Sequence, residues 1–112
     1  PLSMLLSNFN ATVTLAHSQS KNLNELTRSA DILISAVGKA HFLKASHFDP
    51  AKRTTVVDVG MNTLGGKLTG DVDPEVASVA GALTPVPGGV GPMTVISLIE
   101  NLITATENHL KG

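Results

Sequence analysis

The sequence contains no cysteine, no tryptophan and no tyrosine, and phenylalanine, at three residues, is its only large aromatic. Without thiols there is no disulfide, no thiolate nucleophile and no cysteine metal site, a composition that fits a reducing compartment. With aromatics at 3%, a net charge of −1 and no basic patch, the chain lacks the stacking surfaces and positive field of a nucleic-acid binder. Charged residues are also scarce, at 15%. We therefore expect part of the surface to be covered by another segment or subunit. No apolar run approaches the ~20 residues that span a bilayer, and no leader pattern is visible, so no membrane role is expected. The first residue is Pro1 rather than Met. We expect the chain to start inside a longer protein.

What is present is aliphatic. Hydrophobic residues make up 42% of 112, enough for the core of one small domain. A core built from Val, Ile, Leu and Ala is typical of a parallel sheet covered by helices. Residues 1–9 place Leu2, Leu5, Leu6 and Phe9 at helical spacing. A strand is expected over Ala11–Ala16, a short helix over Leu23–Ser29 with Leu23 and Leu26 inward, and a strand buried on both faces over Asp31–Val37. One helical turn is expected near Lys44–Phe48, then a strand over Thr54–Val59 and a tight hairpin centred on Gly65-Gly66. Asp73 reads as a helix cap with Pro74 in first position, followed by a short strand over Gly81–Thr84. Val95, Leu98, Ile99, Leu102 and Ile103 form the stripe of a long final helix.

Strands and helices alternating every 20 to 28 residues or so predict an α/β fold, a doubly wound parallel sheet of Rossmann type. A sheet of that type opens on a central strand and a glycine-rich turn, and here a helix comes first. The fold is therefore expected to be incomplete at its N-terminus, with exposed aliphatic surface and a partner segment needed.

In such sheets ligands bind outside the carboxyl ends of the strands. Those ends are His17-Ser18, Val37-Gly38, Val59-Gly60-Met61 and Thr84-Pro85. The residues after the Ala11–Ala16 strand are where a cofactor domain meets the adenosine ribose. Ser18, Ser20 and Lys21 offer hydroxyls and a positive charge without a carboxylate, which favours NADP over NAD. His41, His47 and His109 have no second ligand at metal-type spacing. Asp71 and Asp73 resemble a carboxylate pair, but Asp73 is better explained as a cap, and Asp58 in its strand is expected to bond to nearby backbone. With no G-x-S-x-G elbow either, no catalytic acid, base or nucleophile is identified, and no metal site. The residues present bind rather than react.

Thr84-Pro-Val-Pro-Gly-Gly-Val-Gly-Pro-Met-Thr94 is the densest signal: three prolines and three glycines, uncharged, before the final helix. It predicts a stiff loop exposing backbone, with Gly91 as helix cap and Pro92 as first helical residue. This stretch resembles the signature of the bifunctional methylenetetrahydrofolate dehydrogenase/methenyltetrahydrofolate cyclohydrolase family. Ala11-Thr-Val-Thr with His17-Ser18, Ala36-Val-Gly-Lys39, Val57-Asp-Val-Gly-Met-Asn62 and Gly70-Asp-Val-Asp73 continue the likeness in order along the chain.

The resemblance implies a cytoplasmic, usually homodimeric enzyme of one-carbon metabolism. It oxidises 5,10-methylenetetrahydrofolate with NADP and hydrolyses the 5,10-methenyl product to 10-formyltetrahydrofolate. By that analogy His17 and Ser18 lie at the 2′-phosphate end, and Ala36, Val37, Gly38, Met61 and Thr94 lie along the nicotinamide half. Pro87, Gly88, Gly89, Val90 and Gly91 line the tetrahydrofolate side. The family's catalytic lysine, its tyrosine partner and its substrate-ring aspartate have no counterpart in these residues, nor has its first cofactor-domain turn. The chain thus resembles the NADP-binding domain alone, residues 1–112, inactive by itself. Its long helix, residues 92–110 or so, would pack back on an N-terminal catalytic domain. Two other readings stay open at this stage: the NAD(P) domain of another small-molecule dehydrogenase, and a non-enzymatic Rossmann-type module.

Overall fold

The computed structural model describes residues 2–17 and 19–111. Helix α1 (Leu2–Asn8) comes first, then α2 (Leu23–Ser29) and strand β1 (Ile32–Ser35). Strand β2 (Thr55–Asp58), the hairpin β3 (Asn62–Leu64) and β4 (Lys67–Thr69), strand β5 (Ala82–Leu83) and helix α3 (Val90–Lys111) follow. Two 3₁₀ turns, Ala45–His47 and Pro74–Ser78, sit in the crossovers.

The sheet is parallel, in the order β1-β2-β5, with Ile32 opposite Thr55 and Val56 opposite Leu83. Its ladder runs past the strand ends, through Val59 N–H to the Ser35 carbonyl at 2.8 Å and Thr84 N–H to the Val56 carbonyl at 3.1 Å. Parallel neighbours cannot be joined by a tight turn, so each crossover must travel back along the sheet, and residues of the two crossovers supply most of the core. Leu43, Phe48, Val56, Val72, Val76 and Ala80 are the buried apolar cluster, with Leu33, Phe42, Val79 and Leu83 packed on it. Helix α2 is latched to the first crossover by polar groups: the Thr27 hydroxyl donates to the His47 carbonyl at 2.6 Å and Arg28 Nη1 to the Phe48 carbonyl at 3.1 Å.

Local chemistry explains the turns. Gly65 and Gly66 have φ of 59° and 79°, the two positive values that a two-residue type I′ hairpin demands. Asp73 Oδ1 accepts from Glu75 N–H at 3.0 Å with Pro74 at the start of its turn, as the sequence predicts, although the turn is 3₁₀ rather than α.

Three expectations fail. Residues 11–16 form no strand, because no strand among the described residues lies beside them to complete a ladder, and Leu15 is 78% exposed. Strand β1 is not buried on both faces: Leu33 and Ser35 turn toward the interior, whereas Ile32 is 64% exposed. Finally, α3 begins at Val90, so Gly89 precedes it and Pro92 is its third residue. A proline is tolerated there because the first-turn amides have no acceptor within the helix. At ~1.5 Å per residue, α3 is about 33 Å long. Its apolar stripe is present but uncovered, for every residue from 91 to 110 is exposed.

Candidate functional site

Parallel strands all end at one edge, so the loops after β1, β2 and β5 gather there. A cleft of about 290 Å³ opens at the β2 and β5 exits, lined by residues 58–61, Leu68, residues 85–92 and Thr94. That volume is at the lower end of small-molecule sites (roughly 300–1,000 Å³), room for one ring system rather than a dinucleotide. Met61 and the residues Pro87 to Gly91 and Thr94, singled out from the sequence, thus share one concave surface. Gly88 adopts φ 100°, and Gly89 lies so close to the Pro85 carbonyl that a Cβ would collide with it. The loop is folded tightly onto itself, and the cleft it walls is mostly apolar.

Ala36, Val37 and Gly38 stand at the neighbouring β1 exit, since Ser35 is paired with Asp58. They are exposed and do not line the cleft itself. His17 lies on the exposed coil before α2, and its hydrogen bonds are local: its N–H donates to Ser20 Oγ at 2.8 Å and its Nδ1 accepts from Gln19 N–H at 3.1 Å. The structure does not bring His17 to the cleft. Ser18 lies outside the described residues.

Two aspartates hold the edge together. Asp58, at the end of β2, accepts from Gly60 N–H and Asp71 N–H through Oδ1, both at 3.0 Å, and from Val72 N–H through Oδ2 at 3.1 Å. The expected backbone role of Asp58 is met, and it reaches 14 residues along the chain. Asp71 is fully buried. Its Oδ2 accepts from Ser35 Oγ at 3.1 Å and Val37 N–H at 2.7 Å. Its Oδ1 accepts from Gly38 N–H and Lys39 N–H, both at 3.2 Å, and from Asn62 Nδ2 at 3.0 Å. Gly60 and Gly70 make this possible, because a Cβ on Gly60 would fall on the Asp71 carboxylate and one on Gly70 on that of Asp58.

Asp71 and Asp73 are therefore no acid/base pair. Asp73 belongs to a separate surface group, where Lys44 Nζ reaches its Oδ2 at 2.9 Å and His41 Nδ1 lies 3.8 Å away. The importance of Asp71 and Asn62 was not apparent from the sequence. The one available signal was the symmetry of Val59-Gly60 after Asp58 and Gly70 before Asp71, two glycines each close to an aspartate.

Burial pushes the Asp71 carboxyl up, but the hydrogen bonds from Asn62, Val37, Gly38 and Ser35 together outweigh it and hold the group below its ordinary value. A lowered folded value stabilises the fold above the unfolded carboxylate range, about 3.9, and that contribution is lost as pH falls through the folded value. The unfolding free energy is expected to be level from about pH 7 to pH 5 and to fall below about pH 4, with a shallower acid limb in Asp71→Asn. Urea titrations at several pH values check this, and an identical acid limb in the variant would refute it.

Chemically, the cleft can bind and orient. Among the described residues Asp58 is the one ionisable group that lines it, and three backbone amides occupy its oxygens. Among the described residues no group of three His, Cys, Asp or Glu could hold a metal ion.

Comparison with known proteins agrees along the whole chain. Residues 1–110 match the family model described as tetrahydrofolate dehydrogenase/cyclohydrolase, NAD(P)-binding domain. The "Bifunctional protein FolD" of Methanospirillum hungatei is 53% identical over 110 residues, 97% of this chain and 39% of that protein. A counterpart in Thermus thermophilus is 53% identical over 105 residues, 94% of this chain and 36% of that one. Among solved structures, the bifunctional 5,10-methylenetetrahydrofolate dehydrogenase/cyclohydrolase of Thermoplasma acidophilum superposes with a TM-score of 0.91 at 40% identity, covering 99% of this chain and 40% of that one. The Trypanosoma brucei enzyme, complexed with NADP cofactor and inhibitor, gives 0.87 at 34% identity, with 99% and 40% covered. The chain thus spans about two-fifths of the length of these relatives, and the part it spans carries the sheet edge and the Pro-Gly cleft. It belongs to the tetrahydrofolate dehydrogenase/cyclohydrolase family, as an NAD(P)-binding domain of that family.

Proposed function

We propose that this chain is the NADP-binding part of an enzyme that oxidises 5,10-methylenetetrahydrofolate and hydrolyses 5,10-methenyltetrahydrofolate to 10-formyltetrahydrofolate. The observation that carries the reading is the cleft at the carboxyl edge of the sheet, walled by Pro87 to Gly91 with Met61 and Thr94 beside it. Its mostly apolar, proline- and glycine-rich wall suits a flat ring, and its size suits the nicotinamide ring alone, at the end of the cofactor that meets the folate. Ala36, Val37 and Gly38 extend the cofactor face, and the 2′-phosphate end is assigned to His17 and Ser18. NADP, when bound, accepts the hydride, and the chain's own residues orient the ring and exclude water from it.

We assign these residues binding and orientation rather than catalysis: the oxygens of Asp58, the ionisable residue that lines the cleft, are taken up by three backbone amides. Helix α3 supports a two-domain arrangement: Val95, Leu98, Ile99, Leu102 and Ile103 are all more than 50% exposed, a seat for the N-terminal catalytic domain. A homodimer in the cytoplasm completes the proposal. No described helix is long and apolar enough to cross a membrane.

A chimaera in which this chain replaces the matching residues of the Methanospirillum hungatei relative tests the reading. Both activities are expected, with the heat-induced transition raised more by NADP than by equal NAD. Gly89→Val is expected to remove dehydrogenase activity, because its side chain must displace the Pro85 carbonyl and with it the cleft wall. Equal protection by both nucleotides, together with an active variant, would sink the assignment.

A further inference from the structure

Three consecutive amides, those of Val37, Gly38 and Lys39, converge on one carboxylate inside the protein. Successive N–H groups arranged this way form a concavity suited to an anion, the device by which many loops take up phosphate. Here the anion is built in. With Asp71 occupying the concavity, these three amides are not available to a ligand's phosphate. The other face of the loop is the reverse in character: among the described residues no hydrogen bond reaches the carbonyls of Ala36, Val37 or Gly38, and all three residues are exposed. A ligand lying against those carbonyls satisfies them with donors, such as a primary carboxamide or a hydroxyl.

We propose that Asp71 is the positioning residue of the cofactor site: it draws the amides of residues 37–39 inward, so that Val37 and Gly38 present carbonyl acceptors rather than amide donors to the site. The proposal rests on the NADP reading above. The carboxylate is itself anchored on several sides. Asp58 accepts from the Asp71 backbone N–H, while Asn62 and Ser35 donate to the carboxylate and Gly60 leaves it the room. The second aspartate thus fixes the first, and the first fixes the loop. The charge is required and not merely the shape. In an asparagine one oxygen position becomes an NH₂, which would face Val37 N–H in one orientation and Gly38 and Lys39 N–H in the other, donor against donor.

Two measurements on the Methanospirillum hungatei chimaera decide it. Amide hydrogen exchange of residues 37–39 is expected to accelerate by about tenfold or more in Asp71→Asn while the amides of β2 keep their rates, the loss of one or two hydrogen bonds' worth of protection. The same variant is expected to raise the KM for NADP about tenfold. Its cyclohydrolase kcat, which needs no hydride acceptor, should stay within about twofold of the unsubstituted chimaera. Lys44→Ala, whose Nζ pairs with Asp73 in the separate surface group, should leave the KM for NADP unchanged. An unaltered KM for NADP in Asp71→Asn, or a parallel fall in both activities, overturns the positioning role. An unsubstituted chimaera that lacks dehydrogenase activity instead overturns the functional reading, and this proposal with it, before any variant is made.

Discussion

Phe48→Ala is expected to lower the unfolding free energy of the chain by about 3–5 kcal/mol. Phe48 is 1% exposed and is the largest fully buried side chain, in a core whose other members are Leu43, Val56, Val72, Val76 and Ala80. All of those are smaller, so none can reach across to fill the space a phenyl ring leaves. The ring also sits where two elements are tied together, because the Phe48 carbonyl accepts from Arg28 of α2. Small domains are commonly stable by only ~5–15 kcal/mol, and this one leaves much apolar surface in water. The substitution therefore consumes a large share of what holds the fold. Far-UV circular dichroism against urea follows it directly in a chain without tryptophan. An unchanged midpoint would show that the cluster around Phe48 is not the centre of stability.

Asp58→Ala is expected to be of similar size, for a different reason. Truncation removes the acceptor of three backbone N–H groups, of Gly60, Asp71 and Val72, at a residue that is 3% exposed. Each buried donor left without a partner costs about 1–3 kcal/mol, so a loss of about 3 kcal/mol or more follows, even with some water entry. Gly70→Ala attacks the same contact from the other side, since its methyl would fall on the Asp58 carboxylate. The two substitutions should be strongly non-additive: once the carboxylate is gone, the methyl has little to strike. A double-mutant cycle by urea unfolding measures that coupling. Simple additivity would show that the Asp58 carboxylate is not the group that excludes a side chain at position 70.

Much of the architecture could be read from the residues. The alternation of β-branched runs with helical stripes, Gly65-Gly66 between Leu64 and Lys67, and Asp73-Pro74 each carry their own local cause, whether a backbone torsion or a cap, that acts over a few residues. The Pro-Gly stretch was legible as a stiff connection into the final helix, although the helix starts at Val90 rather than at Pro92. The strand expected over residues 11–16 shows the limit. A β-branched run has the propensity, but a strand exists only when another backbone completes its hydrogen bonds, and none of the described residues does so for Val13 to Leu15. The same holds for Ile32 on β1 and for Leu98 on α3, whose apolar character predicts burial without supplying a surface to be buried against.

By itself, then, the sequence determined the α/β class, the turns, the aliphatic core and a proline- and glycine-rich loop before the final helix, all features set by interactions within a few residues or by a periodic pattern. Only the tertiary structure decided which ends meet. It put Asp71 under the loop after β1, thirty-odd residues upstream, and Asp58 under residues 71 and 72, midway along the second crossover. A buried carboxylate is placed by the amides that converge on it. For Asp71 those amides lie thirty-odd residues away along the chain, so no spacing announces them. Hydrogen bonds between distant backbone and side chains are set by where the sheet delivers its strands, and the sheet's order is fixed only when the whole chain has folded.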